Sequence, residues 1–228
     1  MNIAIILSGG TGIRMGTDIP KQYIMVGGHP IVEYSINAFS KRKDIDMFVV
    51  VIANEWEEYL AKYTHGVKQP IYFALPGENR QHSIYNALRV AKEKDVNDSD
   101  IVIIHDAARP MVSDEIIDSC ISGCQTYDGV LPVIRVKDTI YLSEDGMEIK
   151  SLLKREQLFA GQAPESFVFG KYLKIHEDMT YEDILKINGS TEIAYKMGLH
   201  VKLVKGDEMN FKITTPEDLK MFEAIINK

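Results

Sequence analysis

Short runs of β-branched and other apolar residues alternate along the chain with segments in which apolar positions recur every three or four residues. The runs Ile3–Ser8, Phe48–Ala53, Ile71–Ala74, Ile101–His105 and Val130–Ile134 predict strands. Each is apolar without a polar alternation, as expected of strands covered on both faces. Between them the clearest periodic segment is Arg80–Lys92, where Ile84, Ala87, Leu88 and Ala91 follow the i, i+3, i+4, i+7 stripe of an amphipathic helix. Strands flanked by helices predict an α/β fold, a Rossmann-like, mostly parallel twisted sheet with helices on both faces. The expected organisation is one domain over residues 1–228. Ligands of such sheets bind beyond the carboxyl ends of the strands, so the residues after each strand become the candidates for chemistry.

One segment breaks the rhythm. From Val136 to Ile149 apolar and polar residues alternate, with a turn signal at Ser143-Glu-Asp-Gly146. That pattern predicts a β-hairpin projecting from the sheet, an arm of about residues 136–156 that either meets a partner subunit, lids a site or merely decorates an edge. Near the end of the chain, Thr215 followed by Pro216, Glu217 and Asp218 marks the start of a last helix. Asp95–Asp100 reads as an acidic surface loop. The two cysteines, Cys120 and Cys124, share one helical stripe with Ile117 and Ile121, which points both thiols into the core rather than to a metal or a disulfide.

Composition narrows the function classes. Apolar residues make up 45% and charged residues 26% of 228, the balance of a soluble globular protein. The formal charge of −7 argues against broad nucleic-acid binding, which needs a basic face. The apolar stretch at the N-terminus is too short for a membrane span and lacks the basic flank of a signal peptide. The expectation is a reduced, cytoplasmic protein with no nucleic-acid or membrane partner.

The strongest chemical signal opens the chain: strand Ile3–Ser8 runs into Gly9-Gly10-Thr11-Gly12-Ile13-Arg14-Met15-Gly16, followed by Pro20-Lys21-Gln22. Glycines there let backbone N–H groups approach phosphate oxygens. The loop is not a Walker loop, since no Gly-Lys-Ser/Thr follows at the required spacing, and Arg14 and Met15 interrupt a dinucleotide fingerprint. Two cations on the same loop, Arg14 and Lys21, suit a site that neutralises charge on a reacting triphosphate. Read alone they are equally ordinary surface cations.

With these residues the chain resembles the 2-C-methyl-D-erythritol 4-phosphate cytidylyltransferase family, which also holds the ribitol 5-phosphate cytidylyltransferases. Further matching segments follow in order: Pro76–Ser83, His105–Pro110, Asp138-Thr139, Arg155, Gly161-Gln-Ala-Pro164 and Asn210–Thr214. The resemblance implies transfer of CMP from CTP to a sugar-alcohol phosphate, with release of pyrophosphate, serving isoprenoid synthesis or, with ribitol or glycerol phosphate, a cell-surface polymer. It assigns Arg14, Lys21 and Lys212 to catalysis. It assigns Ser8, Gly9, Gly10, Thr11, Gly12, Gly77, Glu78, Arg80, Ser83 and Ala107 to the nucleotide. Ser83 also reads simply as a hydroxyl near a helix start. Asp106, Arg109, Thr139 and Arg155 are implied to bind the acceptor, Thr139 and Arg155 from the partner's arm, so that a homodimer shares its active sites. Asp106 also suits Mg²⁺ or another divalent cation, because Mg²⁺ is commonly held by one carboxylate plus phosphate oxygens; the plainer reading is a turn aspartate. Lys212 lies in a short apolar stretch with strand-like neighbours, Phe211 and Ile213, and must send its charge to water or to a phosphate. His105 reads as a packed strand-end histidine.

Two stretches depart from the family. Gln162-Ala163-Pro164-Glu165 stands where Gln-Thr-Pro-Gln is usual, and Asn188-Gly-Ser-Thr-Glu192 stands where a Thr-Asp-acidic run is usual. Both lie on the acceptor side, which leaves the named alditol open and keeps a nucleotide-binding protein without turnover as an alternative. A nicotinamide-dependent reductase shares the opening strand and glycines, but gives Arg14 and Lys21 no purpose.

Overall fold

The computed structural model describes residues 1–10 and 19–227. Its centre is an eight-stranded sheet. In chain order the first part of the molecule runs through β1 (Asn2–Leu7), a small ladder of β2 (Met25–Val26) with β3 (His29–Pro30), α1 (Ile31–Ser40), β4 (Met47–Val51), α2 (Glu57–Thr64), β5 (Ile71–Ala74), α3 (Arg80–Lys92) and β6 (Ile101–Asp106). The second part holds α4 (Asp114–Gly123), β7 (Gly129–Arg135), β8 (Tyr141–Leu142), β9 (Ser151–Leu152), β10 (Phe159–Gly161), β11 (Glu165–Val168), α5 (Phe169–Glu177), α6 (Tyr181–Leu185), α7 (Ser190–Lys196), β12 (Val201–Lys205) and α8 (Pro216–Ile226).

The sheet order is β10-β7-β11-β6-β1-β4-β5, with β12 also paired to β7. Strands β6, β1, β4 and β5 are parallel, and β12 runs parallel to β7. Strand β11 is antiparallel to both neighbours, and β10 is antiparallel to β7. The sheet is therefore mixed and mostly parallel, as the alternation of strand and helix patterns predicts. Both faces are covered. Ile3, Ile5, Val49 and Val51 pack with Leu88 of α3 and Tyr172 of α5, while Ala4, Ile6, Phe48 and Val50 pack with Ile36 of α1 and Ile117 of α4. Successive residues of β1 thus enter opposite halves of the core, which is why the strand is apolar from Ile3 to Leu7.

The chain breaks off each parallel strand at the same edge, and there the caps matter. Asn79 caps α3 by accepting from the His82 N–H at 2.7 Å. Thr215 and Asp218 form a reciprocal capping box on α8, with Pro216 at its first turn. Cys120 and Cys124 are buried, and burial pushes their thiols up to about 12 and about 11, which keeps them protonated and unreactive.

Three expectations are corrected. The arm pairs only Tyr141–Leu142 with Ser151–Leu152, so the return strand starts after Ile149. The turn at Ser143–Gly146 lies where expected, but Asp145 Oδ1 takes the N–H groups of Met147 and Glu148 at 2.9 and 3.1 Å, drawing that backbone away from a ladder. The 95–100 loop is not only a surface loop: Asp100 is buried, binds the N-terminal ammonium, and accepts from the Asn97 N–H at 2.7 Å. Phe211–Ile213 is irregular rather than strand-like, fastened by the Ile213 N–H to the Ala108 carbonyl at 2.8 Å.

Candidate active site

Beyond the carboxyl ends of β1, β4 and β6 the surface opens into a cleft of about 700 Å³. Gly9, Gly10, Lys21, Gly77, Glu78, Arg80, Ser83, Asp106, Ala107 and Lys212 all line it. Two loops build its floor by close approach. A Cβ on Gly9 would stand 2.6 Å from Pro76 Cγ, and one on Gly77 would stand 2.6 Å from His82 Cβ, so neither position tolerates a side chain without displacement. Ser83 fastens the second loop, accepting from the Gly77 N–H and donating to the Asn79 carbonyl, both at 2.9 Å. The N-terminus of α3 opens on the cleft, a position that favours anions.

The glycine loop is held from beneath. Gln22 is buried, and its Nε2 donates to the carbonyls of Ser8 at 2.6 Å and Gly10 at 2.7 Å. The Ser8 hydroxyl donates to Tyr23 Oη at 3.1 Å, and the Ser8 N–H donates to the Val51 carbonyl at 2.9 Å. The structure thus places Ser8 under the loop, with its side chain on Tyr23. Thr11, Gly12 and Arg14 lie outside the described residues.

Asp106 ends β6 at the wall of the cleft. Its Oδ1 is 3.3 Å from Arg80 Nε, and its Oδ2 is 2.9 Å from Lys212 Nζ and 3.6 Å from Arg109 Nε. Burial alone would raise its pKa, but Arg80, Lys212 and Arg109 overcome that and hold the carboxyl well below the usual range. Burial pushes the Arg109 guanidinium down, opposed by Asp106. Arg109 is also anchored through Nη1 to the Asn210 carbonyl at 2.6 Å, while the Asn210 side chain, wholly buried, donates to the Ala163 carbonyl at 2.8 Å. His105, behind Asp106, is driven by burial down to about 4 and stays neutral, its Nε2 2.9 Å from the Arg109 carbonyl.

A second recess of about 300 Å³ adjoins the cleft. Arg80, Asp106 and Lys212 line both, so a group bound in one lies against a group bound in the other. The recess is completed by Arg109 and by the two departing stretches, including Glu165, Asn188 and Thr191. The charge of Glu165 is matched by Arg80, with Oε1 3.3 Å from Nη2. Glu192 instead pairs with Lys196 and caps the Asn188 N–H.

Thr139 and Arg155 lie on the arm and line neither cavity of their own chain; Arg155 Nη1 donates to the Lys137 carbonyl at 2.9 Å. Gln22, Ser190, Thr191 and Asn210 are site residues without an assigned role in the sequence reading. Gln22 and Asn210 did sit within matching segments, but a loop-bracing amide has no pattern of its own.

Among the described residues no cluster of three or more His, Cys, Asp or Glu side chains is placed to hold a metal. Asp106, ionised and at the junction of the cavities, suits an ion that arrives on phosphates, once those phosphates take over its cationic partners.

Comparison with known proteins agrees with this geometry. The pattern of the family described as 2-C-methyl-D-erythritol 4-phosphate cytidylyltransferase matches residues 2–228. The chain is 37% identical over 231 residues to a 2-C-methyl-D-erythritol 4-phosphate cytidylyltransferase of Clostridium novyi, covering 99% of this chain and 96% of that one. It is 32% identical over 228 residues to a ribitol-5-phosphate cytidylyltransferase of Streptococcus agalactiae, covering 99% and 95%. The crystal structure of the Francisella tularensis 2-C-methyl-D-erythritol 4-phosphate cytidylyltransferase superposes with a TM-score of 0.83 at 25% identity, covering 98% of each chain.

Proposed function

The chain belongs to the 2-C-methyl-D-erythritol 4-phosphate cytidylyltransferase family, and from that premise we propose that its cleft binds CTP and its recess an alditol phosphate that receives CMP. The observation that carries this reading is the shared wall. Asp106 gathers Arg80, Arg109 and Lys212 where the two cavities meet, so two phosphate groups brought from either side converge on fixed positive charge.

A phosphate oxygen of the acceptor attacks the α-phosphorus of CTP. A new P–O bond forms, the bond to the bridging oxygen breaks, and pyrophosphate leaves with the electron pair. The acceptor phosphate is ionised at neutral pH, so no serine, cysteine or histidine nucleophile is required. The chain supplies position and charge: the loop after β1 cradles the triphosphate, while Lys21 and Lys212, with Arg14, offset the charge that builds during transfer. Asp106 keeps the cations converged before substrate arrives. A divalent ion carried by CTP and held by Asp106 supplies further charge neutralisation when bound.

The named acceptor has two supports. The Clostridium novyi relative points to 2-C-methyl-D-erythritol 4-phosphate and isoprenoid synthesis. The Streptococcus agalactiae relative points to ribitol 5-phosphate. We read the protein as a cytoplasmic homodimer whose arms, with Thr139 and Arg155, complete the partner's sites. Among the described residues no helix is long and apolar enough to cross a membrane. The test is pyrophosphate release from CTP and Mg²⁺ with each acceptor in parallel, with and without EDTA. Release that needs both an alditol phosphate and the metal is the expected result. CTP binding without release for any acceptor would return the protein to the nucleotide-binding class.

A further inference from the structure

The two stretches that depart from the family are 26 residues apart in sequence at their contact, yet they form one structure. Thr191 Oγ1 donates to Glu165 Oε2 at 2.7 Å. Arg80 Nη2 reaches Glu165 Oε1 at 3.3 Å, and Arg80 Nη1 donates to the Ser190 hydroxyl. The remaining guanidinium nitrogen, Nε, is the one on Asp106. Arg80 is therefore committed at every nitrogen and stands as a fixed post between the carboxylate of the cleft and the carboxylate of the recess. The post is braced from behind. The buried Tyr172 hydroxyl donates to the Ser190 carbonyl at 3.1 Å and accepts from Gln81 Nε2 at 3.1 Å.

Glu165 forms part of the recess wall, and among the described residues each of its carboxylate oxygens takes one hydrogen bond. An ionised carboxylate accepts about four. It thus has capacity left for hydroxyl donors in the space where an acceptor chain would lie. A methyl branch against the same carboxylate would strip water from an ion and return no hydrogen bond.

We infer that Glu165, held in place by Arg80 and Thr191, determines acceptor specificity and selects an unbranched polyhydroxy alditol phosphate over a methyl-branched one. This rests on the cytidylyltransferase reading above. Glu165 in this role touches substrate hydroxyls and takes no part in phosphoryl transfer.

The test measures kcat/KM for a pentitol 5-phosphate and for 2-C-methyl-D-erythritol 4-phosphate, at saturating CTP, in the natural protein and in Glu165→Gln. The natural protein should favour the pentitol phosphate. Glu165→Gln should lower kcat/KM for the pentitol phosphate by about 10- to 100-fold, the worth of a hydrogen bond to a charged group. The loss should fall on KM for the acceptor, leave KM for CTP in place, and spare the branched acceptor. Thr191→Val, which removes one tether without removing the charge, should narrow the same preference to a smaller extent, and carries the test if Glu165→Gln melts at assay temperature. Equal losses for both acceptors would make Glu165 a mere counter-ion of Arg80 and overturn the inference. So would a natural protein that prefers the branched acceptor, while leaving the cytidylyltransferase reading intact. Absence of turnover with every alditol phosphate would remove that reading and this inference together.

Discussion

Lys212 Nζ sits 2.9 Å from Asp106 Oδ2, joining the irregular segment before α8 to the carboxyl end of β6. The pair brings a cation from the far end of the chain to the junction of the two cavities, where the acceptor phosphate and the α-phosphate of CTP would meet. Lys212→Ala should lower kcat by roughly 10²-fold or more, as loss of one preorganised charge does. The fold should survive, because Arg80 and Arg109 still face Asp106. Lys21→Ala should act similarly. Steady-state assays that returned an unchanged kcat for either variant would remove that lysine from the chemistry.

Gln22 is a different kind of site residue, because it faces the back of the loop. Its amide spans the carbonyls of Ser8 and Gly10. In Gln22→Ala the Ser8 carbonyl retains Tyr23 Oη at 3.1 Å, whereas the Gly10 carbonyl loses the donor seen here. The expected outcome is a rise in KM for CTP with a destabilisation of about 0.5–1.5 kcal/mol, the net worth of an ordinary hydrogen bond, because Gly10 is exposed and its carbonyl can turn to water. CTP titration calorimetry and denaturant melts read the two effects separately, and an unaltered CTP affinity would show that the loop holds its shape without Gln22.

The parallel half of the sheet was legible because a strand covered on both faces has to be apolar along its interior, as Ile3–Leu7, Met47–Val51 and Ile101–Ile104 are. Strands β10, β11 and β12 were not. Glu165-Ser166 of β11 and Lys202 and Lys205 of β12 interrupt any apolar run, and the places of these strands are fixed by pairing to β7 and β6 rather than by local pattern. The glycine loop stood out by its glycines directly after β1, whereas Asp106 and Lys212, each with an ordinary reading of its own, were singled out through the family resemblance. The joining of Glu165 to Thr191 could not, since a contact between remote residues leaves no trace in one sequence.

Two histidines make stability depend on pH. His105 and His176 are buried, and burial lowers each from its ordinary value to about 4. His176 Nδ1 lies 2.7 Å from the Tyr172 carbonyl, which fits a neutral ring donating there and accepting from Gln81 at Nε2. In the unfolded chain both titrate near 6.5. Between about 6.5 and about 4 the unfolded state binds protons that the folded state refuses, so stability falls as pH is lowered through that window. At pH 5 the loss should be about 2 kcal/mol per histidine. Urea melts at pH 7 and pH 5 measure it, and His176→Gln should flatten the difference by its share. Equal midpoints at the two pH values would mean that the rings are protonated in the folded protein.

The proposed sharing of active sites between two subunits makes a sharper demand. Thr139 and Arg155 are exposed on an arm whose ladder is two residues long, and that arm also exposes Tyr141, Leu142, Met147, Ile149 and Leu152. So short a hairpin has little stability of its own, and a second copy that covered its apolar side chains would both fix it and receive Arg155. Under that reading Lys21→Ala and Arg155→Ala homodimers are each impaired in both sites. A mixed dimer is different. One of its sites collects both lesions, while the other takes Lys21 from one subunit and Arg155 from the other and is intact. Mixing the two variants in equal amounts and allowing subunits to exchange should therefore restore about a quarter of the natural activity, because half the dimers are mixed and each holds one sound site. If each chain built its site alone, every site in the mixture would carry one lesion and activity would stay at the level of the separate variants.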